Sequence, residues 1–264
     1  MPHASRDERL EGWLYDWENS LTLERQNLDI DFYRMLAARR WQSPVDILEF
    51  ACGTGRVALP LARAGHRVRG VDNSPSRLLV ARDKMEPGLE IAFEYGDMRC
   101  YDGEAAFDLV LIPYSSFLLL ASDAARISCL RSIRQSMRPG GLAVVDLSPN
   151  FLHHPETERA PEAYGLCAPL NARVELSHTV RQDYVQQITR IRKCYRITSA
   201  GGSVEEFATD ETWYTLKVLE MRWLAGQSGL RVADILGTYH GDPLLRDGEY
   251  QTSAYKNIYL LEEA

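Results

Sequence analysis

The sequence predicts an α/β fold: a mostly parallel seven-stranded sheet with helices on both faces, plus an inserted antiparallel β cap. Three observations carry this. Between residues 45 and 148 short apolar runs alternate with longer amphipathic stretches, the pattern of strands joined by right-handed crossover helices. After Pro149 the period changes to two, as in half-buried antiparallel strands. Beyond residue 213 a helical stretch and a final strand pair return to the first pattern and complete the main sheet. A chain of 264 residues with 45% hydrophobic content buries one substantial core, here with an insertion. The expected segments are an N-terminal helical cap over 1–41, a ligand-binding core over 42–149, the β insertion over 150–212 and the completion of the core over 213–264.

Each element follows from local chemistry. "VDILEFA" (45–51) reads as a buried strand, "RVALPLARAG" as a helix ended by Gly65, and "HRVRGVD" (66–72) as a second strand. Ser74 can cap the next helix with Pro75 at its first position, where the missing N–H is not needed; that helix runs to about Met85. "IAFEYGD" (91–97) and "FDLVLIPY" (107–114) are strands. A helix from Asp123 is closed by the turn "RPGG", and "LAVVDLS" (142–148) is the fifth strand. In the insertion Thr189, Ile191, Tyr195 and Ile197 share one face, Arg190, Arg192, Cys194 and Arg196 the other, and Gly201-Gly202 supplies a hairpin turn. "TLKVLEMRWLAGQSG" is then a helix, and "LRVADIL" and "AYKNIYLLE" the last strand pair.

Composition narrows the function. The formal net charge is -7, and no run of Lys and Arg forms a stripe to neutralise phosphates, so nucleic acid is not the expected substrate. No stretch reaches the ~18 apolar residues of a membrane helix. The first thirty residues are charged and carry Trp13, Tyr15 and Trp17 instead of an apolar run, so no signal peptide is read there, and a cytoplasmic, soluble protein is expected. Five cysteines without a C-x-x-C pair read as reduced, mostly buried thiols, and no acidic cluster has metal-ligand spacing.

The glycine turn carries the chemistry. Gly53-Thr-Gly55-Arg-Val-Ala58, with Asp72 nineteen residues after Gly53, fits a dinucleotide-binding pattern, so a nicotinamide or flavin enzyme is one reading. Glu49, inside the strand, opposes it: a carboxylate there suits an ammonium or sulfonium and repels pyrophosphate. Asp97, directly after the third strand, can accept from an adenine amino group while the Met98 N–H meets a ring nitrogen. "IPYSS" puts polar groups at the carboxyl ends of the strands, where ligands of such sheets lie.

Together these residues resemble the class I S-adenosylmethionine-dependent methyltransferases, whose sheet is Rossmann-like. Glu49, Ala51, Gly53 and Gly55 match their first motif, Asp72 the acid of the second strand, Asp97-Met98 the adenine motif, Pro113-Tyr114-Ser115 the fourth motif and "MRPGGLAVV" the fifth. Within the class the inserted strands, "SSFLLL" and the stretch from "TWYTL" to "GTYHGDPL" look most like amino-sugar N,N-dimethyltransferases and cypemycin-type N-terminal methyltransferases, themselves similar to glycine N-methyltransferase. In that subgroup the tyrosine of an N-terminal "YD" touches the methionine end of the cofactor, and Tyr15-Asp16 matches it. The resemblance implies S-adenosyl-L-methionine as cofactor, held by Tyr15, Glu49, Ala51, Gly53, Gly55, Arg56, Asp72, Asn73, Asp97, Met98 and Pro113.

The acceptor is expected to be a small molecule touching Tyr33, Tyr114, Ser115 and Tyr239, with N-methylation of an amine ahead of O-methylation. Methyl transfer is an in-line displacement governed by positioning. A base is needed only to take a proton from the acceptor, and His153, His154 and His240 are the candidates; adjacent histidines are also common in solvated loops. Arg190, Arg192 and Arg196 read as a solvated strand face. A homodimer is compatible with the sequence, and a cofactor-binding partner subunit without chemistry is the reading from another class.

Overall fold

The run predicted as the first strand is buried because both faces of its sheet are covered by helices. The computed structural model describes residues 5–21, 23–42, 44–148, 156–247 and 249–264. Two helices, α1 (Arg6–Leu21) and α2 (Leu23–Arg40), precede β1 (Asp46–Phe50), α3 (Ala58–Arg63), β2 (Arg67–Asp72), α4 (Pro75–Asp83), β3 (Ile91–Tyr95) and β4 (Phe107–Ile112). Then come α5 (Asp123–Ser136), β5 (Met137–Leu147), the inserted β6 (Glu156–Cys167), β7 (Ala172–Asp183), β8 (Ile188–Ser199) and β9 (Val204–Tyr214). The chain closes with α6 (Val218–Gln227), β10 (Leu230–Leu236), a short hairpin of β11 (Leu245–Arg246) and β12 (Glu249–Tyr250), and β13 (Asn257–Glu263). No described helix is long and apolar enough to cross a membrane.

The seven-stranded sheet has the order β10-β13-β5-β4-β1-β2-β3, and β13 alone runs against its neighbours. The predicted caps hold: the Ser74 Oγ accepts from the Arg77 N–H with Pro75 in the first turn, and Gly65 takes φ +92 after α3. One expectation is corrected. "RPGG" is not a turn between α5 and the fifth strand, because β5 starts at Met137 directly after the helix. Its pairing with β4 slips between Phe107 and Leu109, a bulge that accommodates Pro139, which has no N–H, and Gly140 at φ +78.

Period-two alternation splits the core in two. Leu48, Phe50, Val110, Ile112, Ala143 and Val145 meet α5 and α6; Ile47, Leu109, Leu111, Leu142 and Val144 meet α2, α3 and α4. By the same alternation Glu49 in β1 and Asp146 in β5 continue the α2 face toward the carboxyl ends. A third core lies under the antiparallel sheet β6-β7-β8-β9, where Leu10, Leu14 and Trp17 of α1 pack on Val174, Leu176, Tyr195 and Ile197. The predicted faces of β8 are borne out: Tyr195 and Ile197 are buried, while Arg190, Arg192 and Arg196 are exposed. Thus α1 lies between this roof and the main sheet.

The other side of α1 is pressed on α4 at Gly12, whose N–H donates to the Ser76 Oγ at 2.9 Å. A Cβ there would stand 2.5 Å from the Ser76 carbonyl oxygen. Gly12→Val is therefore expected to lower stability by ~1–3 kcal/mol through overpacking, which outweighs the small gain in helix propensity. Urea denaturation measures it; an unchanged midpoint would contradict the close approach.

Candidate active site

The turn after β1 needs left-handed backbone. Gly53 and Gly55 take φ +55 and +79, and Ala51 takes +54 without the freedom of glycine, a strain that persists only where the surroundings enforce it. The enforcing contact is the Asp72 carboxylate at the end of β2, buried to 4% exposure. Its Oδ2 accepts from the Gly53 N–H at 2.7 Å and its Oδ1 from the Ser74 N–H at 2.8 Å, which leaves lone pairs on both oxygens for a ligand.

Helix α1 covers this turn. A Cβ on Gly53 would lie 3.0 Å from the ring of Tyr15, and the Arg77 guanidinium stands 3.9 Å over the same ring while pairing with Glu11 at 2.8 Å. The Thr54 hydroxyl donates to Asp16 at 2.6 Å, and Lys84 bonds the same carboxylate oxygen at 2.7 Å. The dipeptide Tyr15-Asp16 therefore holds the glycine turn with both side chains.

Glu49 is the electrostatic anomaly of the site. It is 2% exposed and its Oε2 has no hydrogen-bond partner among the described residues. Burial pushes its carboxyl from the ordinary 4.5 up to about 8, against the pull of Arg56. Arg56 itself is claimed by the buried Asp29, with Nη1 at 3.1 Å from Oδ1, and its guanidinium lies 5.5 Å from the Tyr114 ring centre. A buried carboxyl with one oxygen unpartnered among the described residues can hold a cationic group at the end of β1.

At the far side of the turn Asp97 accepts from the Arg99 backbone N–H at 2.8 Å and pairs with its guanidinium, which holds its pKa below the ordinary carboxylate value. Met98 packs partly buried against the α5 core, and Asn73 is exposed beside Asp72. Any ligand that uses the Asp97 side chain shares it with Arg99.

The remaining polar groups converge where β4 and β5 end. Asp146, fully buried, accepts from the hydroxyls of Tyr33 at 3.2 Å and Tyr239 at 2.5 Å, with the Lys256 ammonium 3.3 Å from its other oxygen. Lys256 also lies 5.2 and 5.8 Å from the ring centres of Tyr239 and Tyr114. Pro113 is buried, and Tyr114 and Ser115 both take positive φ. The Ser115 Oγ accepts from the Ser148 N–H at 2.7 Å. From above, the roof contributes Lys193, held by Glu18 of α1 at 3.0 Å and Glu211 at 3.2 Å, while the Tyr195 hydroxyl donates to Glu18 at 2.7 Å. Tyr114 is 41% exposed, and the charges that act on its phenol include Arg56, Glu18 and Lys193.

The structure does not bring His240 into this group: it is exposed beside the groove along α2, while its neighbour Tyr239 turns inward to Asp146. The candidates His153 and His154 lie outside the described residues. Sequence reading missed Asp146, Lys256 and Asp29, and the Glu18–Lys193–Glu211 chain. Asp146 carried the same signal as Glu49, an acid inside an apolar strand. Glu18 and Lys193 are 175 residues apart and carried none.

Comparison with known proteins agrees with this geometry. Residues 47–141 match the model of a methyltransferase domain family. The chain is 32% identical over 200 residues to a cypemycin N-terminal methyltransferase from Streptomyces sp, covering 75% of this chain and 77% of that one. An S-adenosylmethionine-dependent methyltransferase from Clostridium acetobutylicum shares the fold with a TM-score of 0.76 at 14% identity, over 95% of this chain and 99% of that chain. A sugar N-methyltransferase from Streptoalloteichus sp does so with a TM-score of 0.71 at 18% identity, over 93% and 91%. The chain belongs to the class I S-adenosylmethionine-dependent methyltransferases, and its cofactor is S-adenosylmethionine. The unpartnered Glu49 Oε2 and the spare lone pairs of Asp72 fit a ligand that is cationic at one end and rich in hydroxyls in the middle.

Glu49 sets the pH response. Because its folded-state pKa is raised, its proton stabilises the fold below the ordinary 4.5, and that stability is lost as pH rises to about 8. A cationic ligand selects the ionised form. Affinity for S-adenosylmethionine, which carries the sulfonium, is therefore expected to rise toward pH 8, by at most about tenfold per unit, and to flatten above it. Calorimetric titration of Glu49→Gln should lose the slope; a slope surviving in the variant would remove Glu49 from the site.

Proposed function

We propose that the enzyme transfers the methyl group of S-adenosylmethionine to an amine nitrogen of a small-molecule acceptor held between the strand ends and the antiparallel roof. The observation that carries the proposal is the link between α1 and the roof: Glu18 pairs with Lys193 at 3.0 Å and accepts from the Tyr195 hydroxyl at 2.7 Å, so the roof is tied to the helix that covers the glycine turn. A roof tied down in this way over the strand ends favours a small acceptor over a polymer. The printed activities of the cypemycin N-terminal methyltransferase and the sugar N-methyltransferase support nitrogen as the accepting atom.

The bound cofactor supplies an electrophilic methyl group. Glu49 would balance its cationic end, Tyr15 would cover the glycine turn on the same side, Asp72 would accept from the ribose hydroxyls, and Asp97 with the Met98 N–H would read the adenine. Positioning then does most of the work, worth ~7–11 kcal/mol in oriented reactions. On the acceptor side Tyr114 and Ser115 would form the floor, and Asp146, buried and paired with Lys256, holds the Tyr33 and Tyr239 phenols in place beside it. The acceptor ammonium gives its proton to water before it binds, and the neutral amine then attacks the methyl carbon, so no strong base is required.

Two acceptors of one carbon skeleton, one bearing an amine and the other a hydroxyl, test the reading by mass spectrometry. The amine should be methylated at least about tenfold faster; equal or inverted rates would make this an O-methyltransferase. Asp146→Asn should raise the KM for the amine while S-adenosylhomocysteine affinity stays as in the parent enzyme. A fall in cofactor affinity alone would move Asp146 out of the acceptor site.

A further inference from the structure

Charged side chains from three elements gather beside the glycine turn: Glu49 at the end of β1, Arg56 directly after Gly55, and Asp29 on α2. Two of them close into a pair. Asp29 is 2% exposed, and both its oxygens meet the guanidinium, Oδ1 at 3.1 Å from Nη1 and Oδ2 in contact with Nη2. Oδ1 also accepts from the Ile30 N–H at 2.8 Å, which fixes the carboxylate on its helix. A two-pronged pair of this kind sets direction as well as strength. Glu49 receives no such contact: its Oε2 has no partner among the described residues, although Arg56 is near enough to pull on its charge. The guanidinium stands between two buried carboxylates and is held by the one on α2.

We infer that Asp29 is a positioning residue for the cofactor: it holds the Arg56 guanidinium off Glu49, so that an anionic and a cationic anchor stand apart for the cationic end and the carboxylate of S-adenosylmethionine. The inference rests on the assignment of Glu49 and Arg56 to the cofactor site. A ligand that carries both charges needs both anchors unjoined. Were Glu49 and Arg56 paired with each other, the ligand would bind only the fraction of molecules in which that pair is open, and its affinity would fall by that fraction. The charges that face Glu49 are Arg56 from the turn, Asp29 from α2 and Asp72 from β2, with the Ala58 N–H and the Cys52 thiol, which burial keeps neutral, beside them. Arg56 and Asp29 act on Glu49 in opposite directions. Without Asp29 the guanidinium is released to Glu49 and favours its ionised form. Tyr33, one turn along α2 from Asp29, bonds Asp146, so one face of this helix serves the cofactor turn and the Asp146 cluster together.

Urea denaturation of the ligand-free enzyme at a series of pH values tests this without the cofactor, which keeps its failure distinct from a failure of the cofactor assignment. The part of the pH slope that Glu49→Gln abolishes belongs to Glu49. In the parent that part is a loss of stability as pH rises from 4.5 to about 8. In Asp29→Asn the loss should end about one pH unit earlier or more, and calorimetric titration at neutral pH should show S-adenosylmethionine bound about tenfold more weakly. Arg56→Gln should weaken binding too, and adding Asp29→Asn to it should weaken it no further, because the group to be positioned is gone. That double variant removes both buried charges and decides the matter should Asp29→Asn fail to fold: its Glu49 slope should end at the same pH as in the parent. A merely structural Asp29 lowers stability equally at every pH. A Glu49 slope unmoved in Asp29→Asn, a further loss of affinity in the double variant, or a slope displaced upward there by about one pH unit would overturn the inference.

Discussion

The 2.7 Å hydrogen bond from the Gly53 N–H to Asp72 is the contact on which the rest of the site depends. It holds the end of β1 to the end of β2 in a backbone conformation that Ala51, Gly53 and Gly55 would otherwise leave. Only in that conformation does the turn present a flat surface for Tyr15. With Tyr15 and Asp16 seated, α1 is fixed; with α1 fixed, its opposite face offers Leu14 and Trp17 to the roof. One carboxylate thus sets the position of a helix that is wall to two spaces.

The polar groups around that helix are an arrangement that stability alone would not select. Glu49 and Asp146 end two apolar strands as buried acids on the same face of the sheet. A buried charge is tolerated when paired. Asp146 has two phenols and Lys256, Arg56 has Asp29, and Lys193 has Glu18 and Glu211. Glu49 stands out, with one oxygen unpartnered and a carboxyl pushed up to about 8. Perturbed groups of this kind collect where ligands bind, and here the perturbed group lies at the mouth of the glycine turn.

Much of this was legible in the sequence because it is local. The glycine turn, Asp72 and the Ser74 cap lie within one strand–helix–strand unit, and the two periods separate the parallel core from the roof. Glu49, in a strand where neighbours are apolar, favoured a cationic ligand, and the class of cofactor followed from the resemblance carried by Glu49, Gly53, Gly55, Asp72 and Asp97-Met98 together. Groups joined over long distances were not legible. Glu18 meets Lys193 only because α1 packs beneath β8, and Asp29 reaches Arg56 only because α2 crosses the sheet. The placement of His240 was not legible either, because one residue of backbone decides whether Tyr239 or His240 faces inward, and Asp146 takes the phenol. "RPGG" read as a turn because Pro and Gly break strands in general, whereas here they sit in a bulge of one.

The central claim is that α1 couples the cofactor turn to the roof. Hydrogen exchange with and without S-adenosylhomocysteine tests it most directly, since protection reports local opening along the chain. The account predicts that the ligand slows exchange in α1 (Arg6–Leu21) and in β8 (Ile188–Ser199) together with the turn at 51–55. Protection confined to the turn and the ends of β1 to β3, with α1 and β8 unchanged, would contradict it.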